Sequence, residues 1–330
     1  MIKIGRKIKK FFGFGTKPAE NDTETKGLND IDIIMGEREI TDFENLVIEG
    51  GGMKMIAFLG AIESLEHYNI LYQIKRLAGS SAGSIIATFL ALNCSSTDLH
   101  RIILHTNFKK FKDDNKGVIR DTYRLFHNYG WYKGDYMLNF MRLEIQKLTK
   151  KTTFTFKDLY NYYHKELYIT AYCVDTASTT VFSHKTHPEL EIAFAVRMSC
   201  SIPGVFAVIK YKGKKYVDGG TLDNYPINIF DDGYNLHKTL GLKLVSNKKV
   251  EYKSDNAINF FSSIINGMWN NIEQLHLKNE YWNRTIKVNC ESVSTLDFDI
   301  TQKEIINISK NVYATTNEYL ENYKKVKRFN

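Results

Sequence analysis

The sequence has little proline and cysteine. Its 330 residues include 4 Pro and 4 Cys. The cysteines are widely separated, and none forms a C-x-x-C pair or lies near paired histidines, so neither a zinc site nor a disulfide framework is expected. We therefore expect reduced, structural thiols in an intracellular protein, at Cys94, Cys173, Cys200 and Cys290.

Long apolar runs are also lacking. A membrane-spanning helix needs roughly 18 or more apolar residues, and no such run is present. The N-terminal region lacks the uninterrupted apolar core and cleavage site of a signal peptide. We therefore expect a cytoplasmic protein that associates with a membrane peripherally.

The overall composition is that of an ordinary globular protein, with 43% hydrophobic and 25% charged residues. The net charge of +8 permits an anionic partner, which could be nucleic acid or a membrane surface. The basic residues are spread out and no nucleic-acid reader motif is present, so nucleic-acid binding is not expected. A membrane surface is the favoured partner.

Residues 1–17 have the pattern of a basic interfacial helix. One helical face carries the apolar residues, and lysine and arginine surround it; the apolar residues are Met1, Ile4, Ile8, Phe11 and Phe12. A frayed, solvated terminus is an equal alternative, because Gly5 weakens a helix and short isolated helices are marginal. Residues 1–17 are thus a candidate anchor for an anionic membrane.

Strand and helix patterns alternate after a linker that ends near residue 42. A strand over residues 45–49 precedes a glycine loop and a helix over 54–68, and a strand over 74–78 precedes a helix over 84–92. Two such units in succession indicate an α/β fold with a mostly parallel sheet flanked by helices. Further strands are predicted over 167–174, 179–183, 215–217 and 239–245. Further helices are predicted over 96–105, 135–147, 191–198, 256–278 and 303–325, with another beginning at residue 155.

Three regions are predicted from these patterns. Residues 1–42 form the basic amphipathic N-terminus and linker, and residues 43–245 form the main α/β domain. Residues 246–330 form a mainly helical C-terminal extension that packs on this domain. The oligomeric state is not predicted from the sequence.

Ser81 is the candidate nucleophile. It lies in the run Gly79-Ser80-Ser81-Ala82-Gly83, a Gly-x-Ser-x-Gly turn between an apolar strand and an apolar helix. Such a turn exposes its serine on strained backbone and needs small flanking residues. A glycine and serine turn that simply opens a helix is the alternative interpretation.

Gly50-Gly51-Gly52 is a candidate oxyanion hole, because its backbone N–H groups lie unobstructed at a helix N-terminus. A tight turn or a phosphate cradle would need similar glycines. The phosphate-loop and dinucleotide patterns are both absent, so no nucleotide cofactor is expected. Lys54 follows the loop and either binds an anionic substrate or is solvated.

The general base has two candidates. None of the 9 histidines lies in a motif, although Ser81, Asp218 and either His237 or His276 follow a Ser-Asp-His order. Asp218 is the better candidate, since it precedes two glycines on an exposed turn that another strand end can approach closely. A plain hairpin turn is the alternative for this Asp-Gly-Gly sequence.

Taken together and in this order, the motifs at residues 50–54, 79–83 and 218–220 resemble the patatin-like phospholipase family of lipid acyl hydrolases. The resemblance extends to residues 199–206, with the sequence Ser-Cys-Ser-Ile-Pro-Gly-Val-Phe, and to Asn224 and Pro226. It covers about residues 44–230. It implies a three-layer α/β/α fold with additional C-terminal helices.

The resemblance also implies a Ser-Asp dyad, in which Asp218 takes the proton from Ser81 without a histidine. Gly50, Gly51, Gly52 and Met53 would form the oxyanion hole, and Lys54 matches a basic position of the family. The implied activity is a phospholipase A-type serine esterase that degrades membrane glycerophospholipids and needs no metal or other cofactor. A transacylase using the same dyad and a catalytically silent membrane-binding adaptor are the alternatives.

Overall fold

The computed structural model describes residues 40, 42–113, 127–232, 236–246, 260, 263–265, 267, 279–291 and 293–328. The chain divides into two compact units, Met1–Glu39 and Ile40–Asn330. All described residues belong to the second unit. The candidate membrane anchor at residues 1–17 lies outside the described residues.

A mostly parallel sheet forms the centre of the described fold. Ten strands are described: β1 Asn45–Ile48, β2 Arg76–Ser80, β3 Gly130–Tyr132, β4 Glu166–Cys173, β5 Ser178–Phe182, β6 Gly204–Phe206, β7 Ile209–Tyr211, β8 Lys214–Asp218, β9 Thr239–Val245 and β10 Thr285–Asn289. Eight of them form one sheet in the order β10-β9-β1-β2-β4-β8-β7, with β5 pairing with β4. The five strands from β10 to β4 are parallel, whereas β5, β8 and β7 run antiparallel to their neighbours.

Helices connect and cover the strands. The described α-helices are α1 Phe58–His67, α2 Ala82–Ala91, α3 Ser96–His105, α4 Asp135–Thr149, α5 Phe156–Tyr163, α6 Ile192–Ser199, α7 Asn279–Trp282 and α8 Gln302–Arg328. Ser95 and Thr155 begin α3 and α5 with capping boxes, in which Asp98 and Asp158 complete the reciprocal hydrogen bonds. Local side-chain chemistry therefore sets where these two helices start.

The central strands are buried on both faces, as expected of parallel strands. Leu46 and Ile48 of β1 point into the main apolar core. Val47, between them, points into a second cluster with Tyr225 and Phe230. This alternation follows from the two-residue period of a strand, and it fixes the position of β1 between two layers.

The predicted α/β architecture with a mostly parallel sheet is confirmed, and several predicted boundaries are corrected. The helix predicted over 54–68 begins as a 3-10 helix, Gly52–Ala57, before α1. The strand predicted over 74–78 is β2, Arg76–Ser80, since the apolar run extends into the glycine turn. The short strands β3, β6 and β7 were not predicted, because three residues carry almost no periodic signal. Strand β10 was not predicted either, since residues 246–330 were expected to be mainly helical. Most of the helix predicted over 256–278 lies outside the described residues.

The described C-terminal residues contribute to the sheet as well as to the helical layer. Strand β10 pairs with β9 at the edge of the central sheet, and the 27-residue helix α8 packs against α1. Gly60 of α1 permits this contact, because a Cβ atom there would lie 2.9 Å from the Ser309 carbonyl carbon of α8. The division of the chain at residue 245 stays a prediction.

The described residues contain no helix that is long and apolar enough to cross a membrane. The four cysteines are free thiols, and all of them are buried.

Candidate active site

Ser81 lies on a strained elbow between β2 and α2. Its backbone angles are φ 48° and ψ −130°, a region that residues with a side chain rarely adopt. Gly79 and Gly83 allow the strand and helix to approach closely. A Cβ atom at Gly79 would lie 2.5 Å from the Gly83 carbonyl oxygen, and one at Gly83 would lie 2.5 Å from the Glu49 carbonyl oxygen. Small residues are therefore needed on both sides of Ser81, as predicted, because a larger side chain would clash with the neighbouring backbone.

Strand register brings Asp218 to this elbow. Ser80 of β2 pairs with Thr170 of β4, and the next residue of β4, Ala171, pairs with Asp218 of β8. Because β8 runs antiparallel to β4, its last residue meets the end of β2. The Ser81 hydroxyl donates a hydrogen bond of 2.5 Å to Asp218 Oδ2.

The Asp218 carboxylate is held in place by its surroundings. Its Oδ1 atom accepts a 2.8 Å hydrogen bond from the Gly220 amide, and its own amide donates to the Ser201 carbonyl oxygen at 2.9 Å. The residue is 0% exposed, so the prediction of an exposed turn at Asp218 is wrong. Burial raises the pKa of Asp218 to about 7, although the hydrogen bonds from Ser81 and Gly220 favour the ionised form. The carboxylate can therefore exchange a proton near neutral pH.

Ser199, at the end of α6, supports the Ser81 backbone. The Ser81 amide donates a 2.8 Å hydrogen bond to Ser199 Oγ, whose hydroxyl donates to the Thr170 carbonyl oxygen at 2.6 Å. This arrangement ties the elbow to β4. Sequence reasoning assigned no role to Ser199, although the residue opens the 199–206 stretch that carries the family resemblance.

The glycine loop lies directly against Ser81. A Cβ atom at Gly50 would lie 2.9 Å from Ser81 Cβ and would also clash with Asn224 Oδ1. The Gly50 amide donates to the Asn224 carbonyl oxygen at 3.0 Å, and the Met53 amide donates to the Thr295 carbonyl oxygen at 2.9 Å. Within the described part of the chain, the Gly51 and Gly52 amides donate to no protein acceptor. Of the four backbone amides that are candidate oxyanion donors, only those of Gly51 and Gly52 therefore stay available in the described structure.

A buried ion pair anchors the residue that precedes this loop. Glu49 Oε1 accepts a 2.6 Å hydrogen bond from Lys243 of β9, and the two side chains are 2% and 4% exposed. Glu49 Oε2 also accepts a 2.5 Å hydrogen bond from the Leu244 amide. This ion pair was not predicted from the sequence. The lysine in the otherwise apolar strand β9 could have indicated a buried acidic partner.

Arg197 of α6 is buried and has no carboxylate partner among the described residues, and it joins three segments near the site. It donates to the carbonyl oxygens of Lys133, Gly134 and Ala207, and to the Ser201 hydroxyl. Burial lowers the pKa of Arg197 to about 10, so the guanidinium stays charged at neutral pH. Its hydrogen bonds fix the backbone around Asp218 through Ser201.

A small apolar cavity of about 30 Å³ lies beside Ser81. Its walls come from the glycine loop, from α2 and α4, from the 199–206 stretch and from two surface segments. The lining residues are Gly52, Met53, Met55, Ser81, Ala82, Ile85, Phe111, Met137, Cys200, Ile202, Phe206, Thr295, Leu296 and Phe298. An apolar cavity next to a nucleophile suits an apolar substrate chain.

Lys54 lies at the edge of this site. Its aliphatic carbons run alongside Gly51, where a Cβ atom would lie 3.6 Å from Lys54 Cβ. Among the described residues Lys54 has no carboxylate partner, so its ammonium group is available to an anion.

Among the described residues, no histidine is a hydrogen-bond partner of Ser81 or Asp218. His237 is exposed in a short 3-10 helix, and His276 lies outside the described residues. A serine on a strained elbow, a buried carboxylate bonded to it and an apolar cavity together define a candidate serine hydrolase site on an α/β fold.

Comparison with known proteins agrees with this class. The model of the patatin-like phospholipase family matches residues 46–231. An uncharacterized protein of Acanthamoeba polyphaga mimivirus is 30% identical over 282 residues, which cover 81% of this chain and 90% of that protein. A probable lipid hydrolase of Invertebrate iridescent virus 6 is 29% identical over 192 residues, covering 57% of this chain and 63% of that protein.

A solved structure shares the fold. The crystal structure of VipD from Legionella pneumophila has a TM-score of 0.59 and 20% sequence identity, and it covers 86% of this chain and 68% of that one. The family model and the mimivirus relative show that the chain belongs to the patatin-like phospholipase family, as the motifs predicted. Membership of this family supports a lipid hydrolase activity.

Proposed function

We propose that the protein is a lipid acyl hydrolase of phospholipase A type, with Ser81 as nucleophile and Asp218 as general base. The observation that carries this proposal is the 2.5 Å hydrogen bond from Ser81 Oγ to Asp218 Oδ2. The buried setting of the pair and the adjacent apolar cavity support it. Family membership supports the broader class of lipid hydrolase.

In the proposed first step, Ser81 Oγ attacks the carbonyl carbon of an acyl ester while Asp218 Oδ2 accepts the hydroxyl proton. The carbon–oxygen bond to the alcohol then breaks, and the protonated Asp218 gives its proton to the departing alkoxide. In the second step Asp218 takes a proton from water, which attacks the acyl-enzyme. The fatty acid leaves and Ser81 regains its proton.

The oxyanion formed in each step carries a negative charge that needs donors. We assign this role to the amides of Gly51 and Gly52, because the Gly50 and Met53 amides are already engaged with Asn224 and Thr295. Lys54 is proposed to bind the phosphate of the lipid head group. Its side-chain carbons lie beside Gly51, and its ammonium group has no carboxylate partner in the described part of the chain.

A phospholipid substrate implies work at a membrane surface. The net charge of +8 favours an anionic bilayer, and residues 1–17 are proposed to bind it through their basic amphipathic pattern. Vesicle co-sedimentation of the full chain and of a variant lacking residues 1–17 tests this. Equal binding of both to anionic vesicles would remove the anchor from the proposal.

The activity itself is tested with the purified protein, a panel of phospholipids and mass spectrometry of the products. Ser81→Ala and Asp218→Asn are each expected to lower fatty-acid release by about 10⁴-fold or more, by analogy with the loss of other catalytic residues. Ser178→Ala and Asp175→Asn are matched controls, because they change the same residue types at exposed positions in β5 and before it. These controls are expected to retain activity.

Other outcomes would replace parts of the proposal. Release retained in Asp218→Asn, but lost in His237→Ala or His276→Ala, would restore a histidine triad. Transfer of the acyl group to an added lysolipid in preference to water would identify a transacylase. Absence of both lipid turnover and a fluorophosphonate adduct on Ser81 would favour a membrane-binding adaptor.

A further inference from the structure

The cavity beside Ser81 is too small for the substrate proposed above. Its volume is about 30 Å³, whereas ligand pockets usually measure roughly 300–1,000 Å³. A fatty-acyl chain can reach Ser81 only after part of the cavity wall moves. The inference that follows rests on the proposed lipid hydrolase function.

Two surface segments supply two of the three aromatic residues in this wall, and the third is Phe206 of β6. Residues 108–112, here called the basic cover segment, place Phe111 in the cavity lining. Residues 293–300, here called the acidic cover segment, place Leu296 and Phe298 there. The rings of Phe111 and Phe298 lie 6.3 Å apart between centroids, so the two segments contact each other over the cavity.

Neither segment is a strand of the central sheet. The basic cover segment is largely the short 3-10 helix Phe108–Phe111. In the acidic cover segment, backbone bonds such as Asp297 to Ser294 and Phe298 to Leu296 close turns within the segment itself. Both segments can therefore move without breaking sheet hydrogen bonds, and the backbone bond from the Met53 amide to the Thr295 carbonyl oxygen ties the start of the acidic cover segment to the glycine loop.

An exposed carboxylate joins the two segments at the surface. Asp299 Oδ2 lies 2.8 Å from Lys112 Nζ, and Asp299 Oδ1 lies 3.4 Å from Lys109 Nζ. The side chains of Asp299 and Lys109 are 60% and 68% exposed. Exposed ion pairs of this kind are weak and sensitive to salt, so another anion can displace Asp299.

The two segments carry opposite charge. The basic cover segment has three lysines, at positions 109, 110 and 112, and no acidic residue, whereas the acidic cover segment has Asp297 and Asp299 and no basic one. Burial raises the pKa of Asp297, and the nearby carboxylates of Glu304 and Asp299 add to the effect. An anionic surface therefore attracts one segment and repels the other.

We propose that the two cover segments form a lid over the active-site cavity, latched by Asp299 between Lys109 and Lys112, and that an anionic lipid surface opens it. Lipid phosphates take the place of Asp299 on the lysines. The acidic cover segment then separates from the surface, and the cavity beside Ser81 opens to an acyl chain.

The test measures how fast a long-chain fluorophosphonate labels Ser81 of the full-length protein. Vesicles of phosphatidylcholine alone are compared with vesicles that also contain phosphatidylglycerol. Wild-type protein is expected to be labelled about two- to tenfold faster with the anionic vesicles, in line with the modest strength of exposed ion pairs. Asp299→Asn is expected to be labelled fast with both kinds of vesicle.

Two further variants separate the latch from a general effect of charge. The double variant Lys109→Gln/Lys112→Gln is expected to be labelled fast with both vesicles and to co-sediment less with the anionic ones. Glu189→Gln is the matched control, because Glu189 forms an exposed 2.9 Å ion pair with Lys157 and lines no part of the cavity. It is expected to respond to anionic vesicles as the wild type does.

Equal labelling rates for wild type and Asp299→Asn, with no acceleration by anionic vesicles, would overturn the lid. Failure of the proposed function is distinguishable, because Ser81 would then be unlabelled in every variant and condition. Hydrogen exchange of the Ser81→Ala protein gives a readout independent of chemistry. Exchange of residues 108–112 and 293–300 is expected to rise with anionic vesicles, and unchanged exchange would refute the latch even if catalysis were established.

Discussion

Ser81 Oγ and Asp218 Oδ2 lie 2.5 Å apart although the two residues are separated by 137 positions in the chain. Both side chains are buried, with exposed fractions of 1% and 0%. A carboxylate so poorly hydrated is a stronger base toward the hydroxyl that it contacts, and we expect its titration to affect both activity and stability.

The first prediction concerns the pH dependence of activity. Asp218 must be ionised to accept the Ser81 proton, and burial raises its pKa to about 7. We expect kcat/KM to rise about tenfold per pH unit below this value and to level off above it. The profile is measured between pH 5 and 9 on a soluble ester. His237→Ala should keep the same inflection, and a flat profile would contradict the role of Asp218.

The second prediction concerns stability. The folded-state pKa of Asp218 is raised from 3.8 to about 7, so folding becomes less favourable as the pH rises through this interval. Asp218→Asn removes the buried charge and is expected to stabilise the protein at pH 8, on the order of 4 kcal/mol at most. The gain should shrink as the pH falls and vanish below pH 4. Thermal unfolding midpoints across this range provide the measurement, and a gain that is independent of pH would argue against the raised pKa.

The third prediction concerns the support of the elbow. Ser199→Ala removes the acceptor of the Ser81 amide, and a buried amide without a partner is costly. We expect kcat to fall about tenfold or more with little change in KM, and Ser199→Thr to recover part of the loss because it keeps a hydroxyl. Thr88→Val is the control, since Thr88 forms a comparable buried bond to the Ser84 carbonyl oxygen in α2. Equal losses in both variants would mean that Ser199 acts only on the fold.

The fourth prediction concerns the buried pair beneath the glycine loop. Lys243→Met leaves the Glu49 carboxylate buried without this cation and is expected to destabilise the fold by about 3–5 kcal/mol. Adding Glu49→Gln should recover part of the loss, because the buried charge that lost this cation is gone. The control is Lys238→Met, whose half-buried 2.7 Å pair with Glu44 precedes the same two strands. It is expected to change stability by less than about 1 kcal/mol, as measured by denaturation.

The elements and motifs that depend on neighbours in the chain were predictable. Apolar runs, glycine turns and capping residues act over a few positions, so β1, β2, α2 and the Ser81 elbow could be placed from the sequence. The alternation of these elements also predicted the mostly parallel sheet. The ordered motifs at residues 50–54, 79–83 and 218–220 predicted the family.

Features that depend on distant parts of the chain were not predictable in the same way. The engaged amides of Gly50 and Met53 follow from Asn224 and Thr295, which approach only in the folded chain. The Glu49 and Lys243 pair and the contact of Ser199 with the elbow also join segments that are far apart in sequence. No local pattern encodes such contacts.

The sequence by itself determined the candidate nucleophile, the loop beside it and the carboxylate most suited to be its base, because each lies in a turn with a specific backbone requirement. Only the tertiary structure brought Ser81 and Asp218 into contact, through the register of β2, β4 and β8. It also decided the burial that raises the pKa of Asp218 and the closing of the cavity by two surface segments. Burial and closure depend on what other parts of the chain pack against a residue, which is a property of the fold.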